Sequence, residues 1–183
     1  MAQLKRENPA LKLLISVGGD AHEGAHRFSR LVDLPVRRRQ FIESAVEFCD
    51  RYGFDGVDLH WAYPGAEEFG GKPTDKTNFK VLLEELRTVL KSRDLLLTVA
   101  VPASRYRLDE GYDILALEKM TDFVNLQAFE LYRSGHPVVG HHSVLRPGFH
   151  DHGLDSFSNV VGVAVQTTIN SDVVNVTCKL VCL

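Results

Sequence analysis

Short apolar runs alternate along the chain with longer segments whose apolar residues recur at helical spacing. Four of these runs are bounded by turn residues and predict buried strands over residues 11–17, 54–61, 95–102 and 122–131. Runs that are apolar almost throughout are typical of parallel strands covered on both faces. The pattern therefore predicts a parallel sheet.

Helical segments separate the four strands. One helix is predicted to begin at Pro35 and to end before Gly53, and a second to begin at a capping Asp75. A third, short helix is predicted over residues 114–119, and residues 18–24 are predicted to form a loop. The apolar positions expected to face the core are Phe41, Ala45, Phe48, Cys49 and Tyr52 in the first helix, and Phe79, Leu82, Leu83, Leu86, Val89 and Leu90 in the second.

This alternation of strands and helices predicts an α/β fold, for which either a doubly wound sheet or a (β/α) barrel is suitable. A complete (β/α) barrel usually needs ~250 residues, so four clear strands in a chain of 183 residues amount to about half of one. After Tyr132 the pattern weakens, and further strands are predicted at 159–169 and 172–183 with no helix between them.

Composition excludes several function classes. The net charge is −3, which gives no electrostatic footprint for nucleic acid, and the basic run at residues 37–39 is predicted to be a solvated helix face. No stretch is apolar for the ~18 residues of a membrane span, and the first ten residues lack the apolar segment of a signal peptide. Three cysteines do not make a disulfide framework. Cys49 is predicted to be a core residue, and a bridge between Cys178 and Cys182 stays open.

The strand over residues 54–61 carries the most informative chemistry. Side chains alternate between the two faces of a strand, so Gly56, Asp58, His60 and Ala62 are predicted to share the inward face. The bulky set Val57, Leu59 and Trp61 is predicted to pack beneath the helices. Functional groups of parallel α/β folds gather at the carboxyl ends of strands, which is where His60 and Ala62 lie.

Three of these segments resemble glycoside hydrolase family 18, the chitinases. "FDGVDLHWAYPG" resembles the strand-four signature D-G-x-D-x-D-x-E followed by Tyr-Pro, "LISVGG" the strand-three motif S-x-G-G, and "DFVNLQAFEL" the strand-six motif. The order and spacing of the motifs agree with the family. The resemblance covers residues 9–132 and implies that residues 1–183 form part of a TIM barrel, about strands three to six, with a divergent tail at 133–183.

The resemblance also implies roles for single residues. Asp55 and Asp58 match the first two acids of the signature, His60 stands in the third Asp position, and Ala62 stands in the position of the catalytic Glu. In the family that Glu protonates the glycosidic oxygen, while the acetamido group of the substrate is the nucleophile. General acid catalysis typically supplies ~10²–10⁴-fold, and a methyl group donates no proton. We therefore expect no hydrolysis by the family mechanism.

On strand six, Gln127 replaces Met, Phe129 replaces Tyr and Glu130 replaces Asp. The resemblance predicts a catalytically inactive, chitinase-like protein, as in chitinase-like lectins and imaginal disc growth factors. Its expected partners are chitin or N-acetylglucosamine oligosaccharides and a cell-surface receptor, without cofactor or metal, and the expected location of the parent protein is extracellular. The predicted substrate-binding residues are Gly18, Gly19, Asp58, His60, Tyr63, Gln127, Phe129 and Glu130.

Two other functional interpretations remain open. The chain is an active chitinase if a relocated acid, such as His60, Glu67 or Glu68, replaces the missing Glu. It is an incomplete barrel product without independent function if its half barrel leaves sheet edges and apolar surface exposed. A zinc site is a further alternative for the tail residues, but their spacing fits no standard zinc pattern, so an exposed loop is favoured. These residues are His136, His141, His142, His150, Asp151 and His152.

Overall fold

The structure is a computed structural model, and it describes residues 2–19, 22–129, 131–132, 139–143, 145–146 and 176–178. Strands and helices alternate through this part of the chain. The strands are β1 (Leu14–Gly19), β2 (Gly56–Trp61), β3 (Leu96–Pro102), β4 (Phe123–Gln127) and β5 (Val176–Cys178). The helices are α1 (Ala2–Glu7), α2 (His22–Asp33), α3 (Pro35–Tyr52), α4 (Asp75–Lys91), α5 (Arg105–Gly111) and α6 (Ile114–Met120), and a 3₁₀ turn spans Glu67–Phe69.

All five described strands are parallel and stand side by side in the order β1-β2-β3-β4-β5. The predicted parallel sheet is therefore confirmed. A doubly wound sheet reverses its strand order at a switch point, whereas the wall of a (β/α) barrel follows chain order. The sequential order accordingly favours the barrel.

The four predicted strands and the three predicted helices are all present, with bounds shifted by a few residues. The loop predicted at residues 18–24 is wrong, because Gly18 and Gly19 end β1 and α2 begins at His22. Helices α1 and α5 were also not predicted. These helices carry few apolar residues (α5 buries only Leu108 and Gly111), so their periodicity gives little signal.

Helix α3 begins at Pro35 and is capped by Gly53, as predicted, but the predicted apolar face is only partly right. Ala45 and Cys49 are buried, whereas Phe48 is 42% and Tyr52 is 47% exposed. These two rings pack against each other at 4.4 Å on the outer side of the helix. The face that meets the core instead contains Arg38, Ile42, Ala45, Val46 and Cys49.

Arg38 is the second correction in α3, because the basic run is not a uniformly solvated face. Its side chain is buried, and its Nε and Nη2 each donate to a carboxylate oxygen of Glu85 at 2.9 Å. Its Nη1 donates to the backbone oxygen of Val32 at 2.8 Å. A planar guanidinium with five donors can satisfy this arrangement, so a basic residue becomes part of the helix interface.

The core lies between the outer face of the sheet and the helices. Val57, Leu59 and Trp61 of β2 are almost completely buried there, as their alternation predicted. Trp61 stacks on Phe28 of α2 at 5.3 Å and meets the edge of Phe79 of α4 at 5.4 Å. The predicted stripe of α4 is confirmed, with five of its six members buried and Val89 partly buried.

Asp75 does not cap α4 as predicted; it is the first helical residue, after Thr74. Its carboxylate is buried and accepts hydrogen bonds from Ser29 Oγ at 2.8 Å and from the backbone nitrogens of Lys72 at 2.8 Å and Gly65 at 3.3 Å. The side chain thus connects α2 with the loop that leads from β2 to α4. Since that loop follows the carboxyl end of β2, Asp75 helps to fix its path.

Little of the tail belongs to the described residues. Val176–Cys178 pairs in parallel with β4, which agrees with part of the strand predicted at 172–183. The strand predicted at 159–169 and Cys182 lie outside the described residues. No helix in the described ranges is long and apolar enough to cross a bilayer.

Candidate functional site

Polar side chains from four neighbouring strands meet on the inner face of the sheet. They are Ser16 of β1, Asp58 of β2, Thr98 of β3 and Asn125 of β4. In the register, Ser16 pairs with Asp58 and Asp58 pairs with Thr98. Asn125 pairs with Ala100, two residues nearer the carboxyl end of β3 than Thr98. Alternation along each strand turns these residues away from the helices and toward the interior.

Asp58 is the centre of this group. Its Oδ2 accepts a hydrogen bond from Ser16 Oγ at 2.8 Å, and its Oδ1 accepts from Thr98 Oγ1 at 2.6 Å and from Asn125 Nδ2 at 2.8 Å. Only 6% of the residue is exposed. A buried carboxylate is costly unless donors surround it, and here three strands each supply one. The arrangement fixes both carboxylate oxygens.

His60 and Gln127 form the next inward layer, nearer the carboxyl ends. The amide nitrogen of Gln127 lies 2.5 Å from Nε2 of His60. The amide nitrogen of Gln127 is a donor, so Nε2 of His60 is the acceptor in this contact. Both residues were predicted from the sequence to bind substrate, and the structure brings them into contact.

Ala62 follows β2 and presents only a methyl group. The residue is 9% exposed. The next residue, Tyr63, is half-buried, and its ring packs against Phe69 with centroids 5.7 Å apart. Its face also lies 5.3 Å from the guanidinium carbon of Arg107. Tyr63 is therefore held by groups outside the strand.

Other predicted site residues are placed as follows. Phe129, two residues beyond β4, is half-buried and stacks against the ring of His142 at 6.3 Å. Glu130 lies outside the described residues, as do His136, His150, Asp151 and His152 of the tail. In the described part of the chain, no three His, Cys, Asp or Glu residues are grouped so that they could hold a metal ion.

Backbone geometry explains why two glycines stand at the end of β1. Gly18 has φ of +110°, and a Cβ built there would lie 2.0 Å from the backbone oxygen of His60. Gly19 has φ of +128°, with open space where its Cβ would be. Gly18 thus lets β1 approach β2 beside His60, which positions the inner layer of the site.

Asp55 is not part of this group, because it precedes β2 at the opposite end of the strand. Its carboxylate accepts from the backbone nitrogen of Leu13 at 2.7 Å and pairs with Lys5 at 2.7 Å and Lys12 at 3.8 Å. Burial raises the pKa of Asp55, but the Leu13 hydrogen bond and the two lysines outweigh it and lower the pKa below 3.8. Its described contacts join α1 and the residues directly before β1 to the start of β2, so its role there is structural.

Sequence reasoning missed Ser16, Thr98 and Asn125 as members of the site. Each lies at an inward position by strand alternation, which is the signal that could have found them. Tyr112 was also missed, and its hydroxyl donates to the backbone oxygen of Trp61 at 2.6 Å, beside Ala62. Glu68 is one of the candidates for a relocated acid, and it forms a hydrogen-bonded ion pair with Arg107. The hydrogen bond from Arg107 lowers the pKa of Glu68 below its ordinary value.

The chain matches the model of Glycosyl hydrolases family 18 over residues 1–179. It is 36% identical to Probable chitinase 2 of Drosophila melanogaster over 145 residues, which are 79% of this chain and 29% of the relative. Among solved structures it resembles chitinase ChiA74 from Bacillus thuringiensis, with a TM-score of 0.86 and 31% identity over 96% of this chain and 29% of the other.

A second solved structure is human YKL-39, a pseudo-chitinase with retained chitooligosaccharide binding properties. The TM-score is 0.77, with 33% identity over 91% of this chain and 46% of YKL-39. The chain spans less than half the length of each of these three proteins.

A match across almost the whole chain shows the family, so this chain belongs to glycosyl hydrolase family 18. The fold predicted by resemblance, a part of a (β/α) barrel, is confirmed by the parallel sheet and by the chitinase structures that it matches. The family includes hydrolases and a pseudo-chitinase, and it is therefore the site, not the fold, that must decide between these functions.

Proposed function

We propose that this chain is a catalytically inactive, chitinase-like protein that binds N-acetylglucosamine oligosaccharides. The observation that carries the proposal is the methyl group of Ala62, in the position where the family signature has its proton-donating Glu. In the family mechanism, the glycosidic oxygen must receive that proton as it leaves. A site that has two polar layers but lacks the proton donor is suited to binding.

The two polar layers of the site support the binding part of the proposal. Asp58 is held by hydrogen bonds from Ser16, Thr98 and Asn125, and the contact of His60 with Gln127 arranges a second polar layer above it. Polar groups whose positions are fixed in advance bind a saccharide at lower entropic cost than mobile ones. YKL-39, which the chain resembles, has chitooligosaccharide binding without being an active chitinase.

The contacts of the alternative acids support the proposed lack of catalytic activity. Glu68 is exposed and paired with Arg107, and its lowered pKa makes it a weaker proton donor near neutral pH. His60 precedes Ala62 by two residues, about 6.6 Å along a strand, and its ring is engaged by Gln127. Neither group therefore stands ready to replace the missing Glu.

Isothermal titration with the N-acetylglucosamine tetramer tests this function. We expect saturable binding by the wild-type chain, and a clear loss of affinity in His60→Ala and Gln127→Ala. The glucose tetramer, which lacks acetamido groups, is the matched control ligand and should bind more weakly. No binding of the N-acetylglucosamine tetramer by a folded chain would contradict the proposal.

The interpretation as an incomplete product is tested separately by unfolding. A single cooperative transition of the monomer argues against it, whereas a broad transition or a concentration-dependent aggregate argues for it. An extracellular parent protein and a receptor partner stay predictions from the family resemblance.

A further inference from the structure

Arg107 of α5 lies beside the site, at the centre of a compact cluster that the family resemblance did not single out. The guanidinium carbon is 5.3 Å from the ring centres of Tyr63 and Tyr106 and 5.6 Å from that of Phe69. Its Nη1 donates to Glu110 at 2.8 Å and its Nη2 donates to Glu68. Only 18% of the side chain is exposed. We call these six residues the Arg107 cluster.

The cluster joins two separate segments of the chain. Tyr63, Glu68 and Phe69 belong to the loop between β2 and α4, which leaves the site directly after Ala62. Tyr106, Arg107 and Glu110 belong to α5, which follows β3. Arg107 contacts both segments, through an ion pair with Glu68 and through the ring faces of Tyr63 and Phe69. It therefore fastens the loop to the helix.

The backbones of the same two segments are also in close contact. A Cβ built on Gly111 at the end of α5 would lie 2.4 Å from the backbone oxygen of Pro64. A Cβ built on Gly65 would meet Glu110 at 3.5 Å. Gly111 thus packs against Pro64 with no room for an added side chain, and Gly65 lies within van der Waals distance of Glu110. A small movement of α5 would be transmitted to the turn that carries Tyr63.

Arginine is suited to this double role in a way that lysine is not. Its planar guanidinium can stack on aromatic rings while its edge pairs with carboxylates. The pKa of Arg107 is lowered by burial but raised more by the hydrogen bonds of Glu68 and Glu110, so the net direction is upward and the charge is permanent.

We propose that Arg107 is a positioning residue that holds the ring of Tyr63 in place for contact with a bound saccharide. The inference rests on the proposed function, because Tyr63 is taken there as a substrate-binding residue. Arg107 itself touches no ligand in this account. Arg107 holds the loop from Tyr63 to Gly70, and its effect on affinity passes through the ring of Tyr63.

The positioning role is tested first without any ligand, by amide hydrogen exchange in the loop. Gly70 and Gly71 donate to the backbone oxygens of Glu67 and Ala66 at 2.9 Å, which makes their amides sensitive reporters. We expect faster exchange at both in Arg107→Ala. Arg105→Ala is the matched control, since Arg105 pairs with Asp109 of its own helix, and it should leave exchange unchanged. Unchanged exchange in Arg107→Ala would overturn the positioning role.

The second test is a double-mutant cycle on saccharide affinity, with the N-acetylglucosamine tetramer as the probe. We expect Arg107→Ala to weaken binding by roughly tenfold, within the range found for residues in contact. Arg107→Lys keeps the charge but not the planar fork, so its affinity should lie between those of the wild type and Arg107→Ala. In a Tyr63→Ala background, Arg107→Ala should have no further effect, because its influence passes through that ring.

Outcomes that contradict the two proposals differ. If the wild-type chain binds and the two substitutions weaken binding additively, Arg107 does not act through Tyr63, and this inference is wrong while the proposed function stands. If the wild-type chain does not bind, the proposed function is wrong and the saccharide role of Arg107 with it. The exchange experiment then still decides whether Arg107 holds the loop.

Discussion

Replacement of Asp58 gives the sharpest prediction about how the site is built. In Asp58→Ala, the donors of Ser16, Thr98 and Asn125 lose their acceptor, and a cavity forms among them. Thr98 is completely buried, so water does not readily replace the carboxylate there. The substitution therefore tests whether the hydrogen-bonded group of Ser16, Thr98 and Asn125 depends on the side chain of Asp58.

The magnitude follows from the number and kind of hydrogen bonds. A bond to a charged group contributes about 1.5–3 kcal/mol, but three such values do not add fully. Removal of a buried charge also removes the cost of its desolvation. We therefore expect Asp58→Ala to lower the free energy of unfolding by about 2–4 kcal/mol, less than the simple sum.

Asp58→Asn is the informative comparison because it keeps the shape. The amide oxygen can still accept from Thr98 and Asn125, and the hydroxyl of Ser16 can rotate to accept from the new amide. We expect a loss of only about 1 kcal/mol, the difference between charge-assisted and neutral hydrogen bonds. The difference in unfolding free energy between the Ala and Asn variants thus measures how much the hydrogen bonds to the three donors contribute, separately from the charge.

Urea unfolding followed by tryptophan fluorescence provides the measurement. Trp61 is the sole tryptophan of the chain and is 1% exposed, so its emission reports loss of the packed core. Asp50→Ala is the control, because Asp50 forms an exposed ion pair with Arg93 that should contribute less than about 1 kcal/mol. An Asp58→Ala variant that is no less stable than Asp58→Asn, or that is as stable as the wild type, would refute the dependence of the three donors on this carboxylate.

Three further predictions concern stability. Arg38→Ala should lower the free energy of unfolding in urea by about 2–3 kcal/mol, because it removes a buried, paired guanidinium. Arg39 is exposed, so Arg39→Ala should lower it by less than about 0.5 kcal/mol, and equal losses would contradict the prediction. Gly18→Ala should destabilise the chain more than Gly19→Ala, because its Cβ would collide with backbone whereas that of Gly19 would meet open space. Thermal unfolding of both variants measures the difference. A larger loss of stability in Gly19→Ala would contradict the close approach at Gly18. The lowered pKa of Asp55 means that its stabilising effect is present above its ordinary pKa of 3.8 and is lost as pH falls through the lower, folded-state pKa. In acid unfolding, Asp55→Asn should therefore lose less stability than the wild type as the pH falls below 3.8. Parallel curves for the variant and the wild type would refute this prediction.

The parts of the fold that could be predicted from the sequence are those in which a local pattern decides the environment. The alternation in β2 separated Val57, Leu59 and Trp61 from Asp58 and His60, because the two faces of a strand meet different surroundings. In α3 the same reasoning failed in part. Aromatic residues count as apolar and arginine as polar, yet Phe48 and Tyr52 cover each other on the outside while Arg38 finds partners inside.

The composition of the site was less accessible to sequence reasoning, because it depends on pairings between distant segments. Ser16, Thr98 and Asn125 converge on Asp58 only through the register of four strands, and no local pattern fixes that register. The Arg107 cluster likewise depends on how α5 docks against the β2–α4 loop. The family motif indicated Ala62 and Tyr63, while the contacts that hold them became evident in three dimensions.

The most direct test of the account follows one saccharide through binding and possible cleavage in the same sample. The N-acetylglucosamine pentamer is incubated with an excess of the folded chain, the bound fraction is measured by equilibrium dialysis, and the recovered sugar is analysed by mass spectrometry. The account predicts saturable binding and recovery of the intact pentamer alone. Shorter oligomers that appear with the wild-type chain and disappear in His60→Ala or Glu68→Ala would contradict it, because they would reveal a working acid in place of the missing Glu.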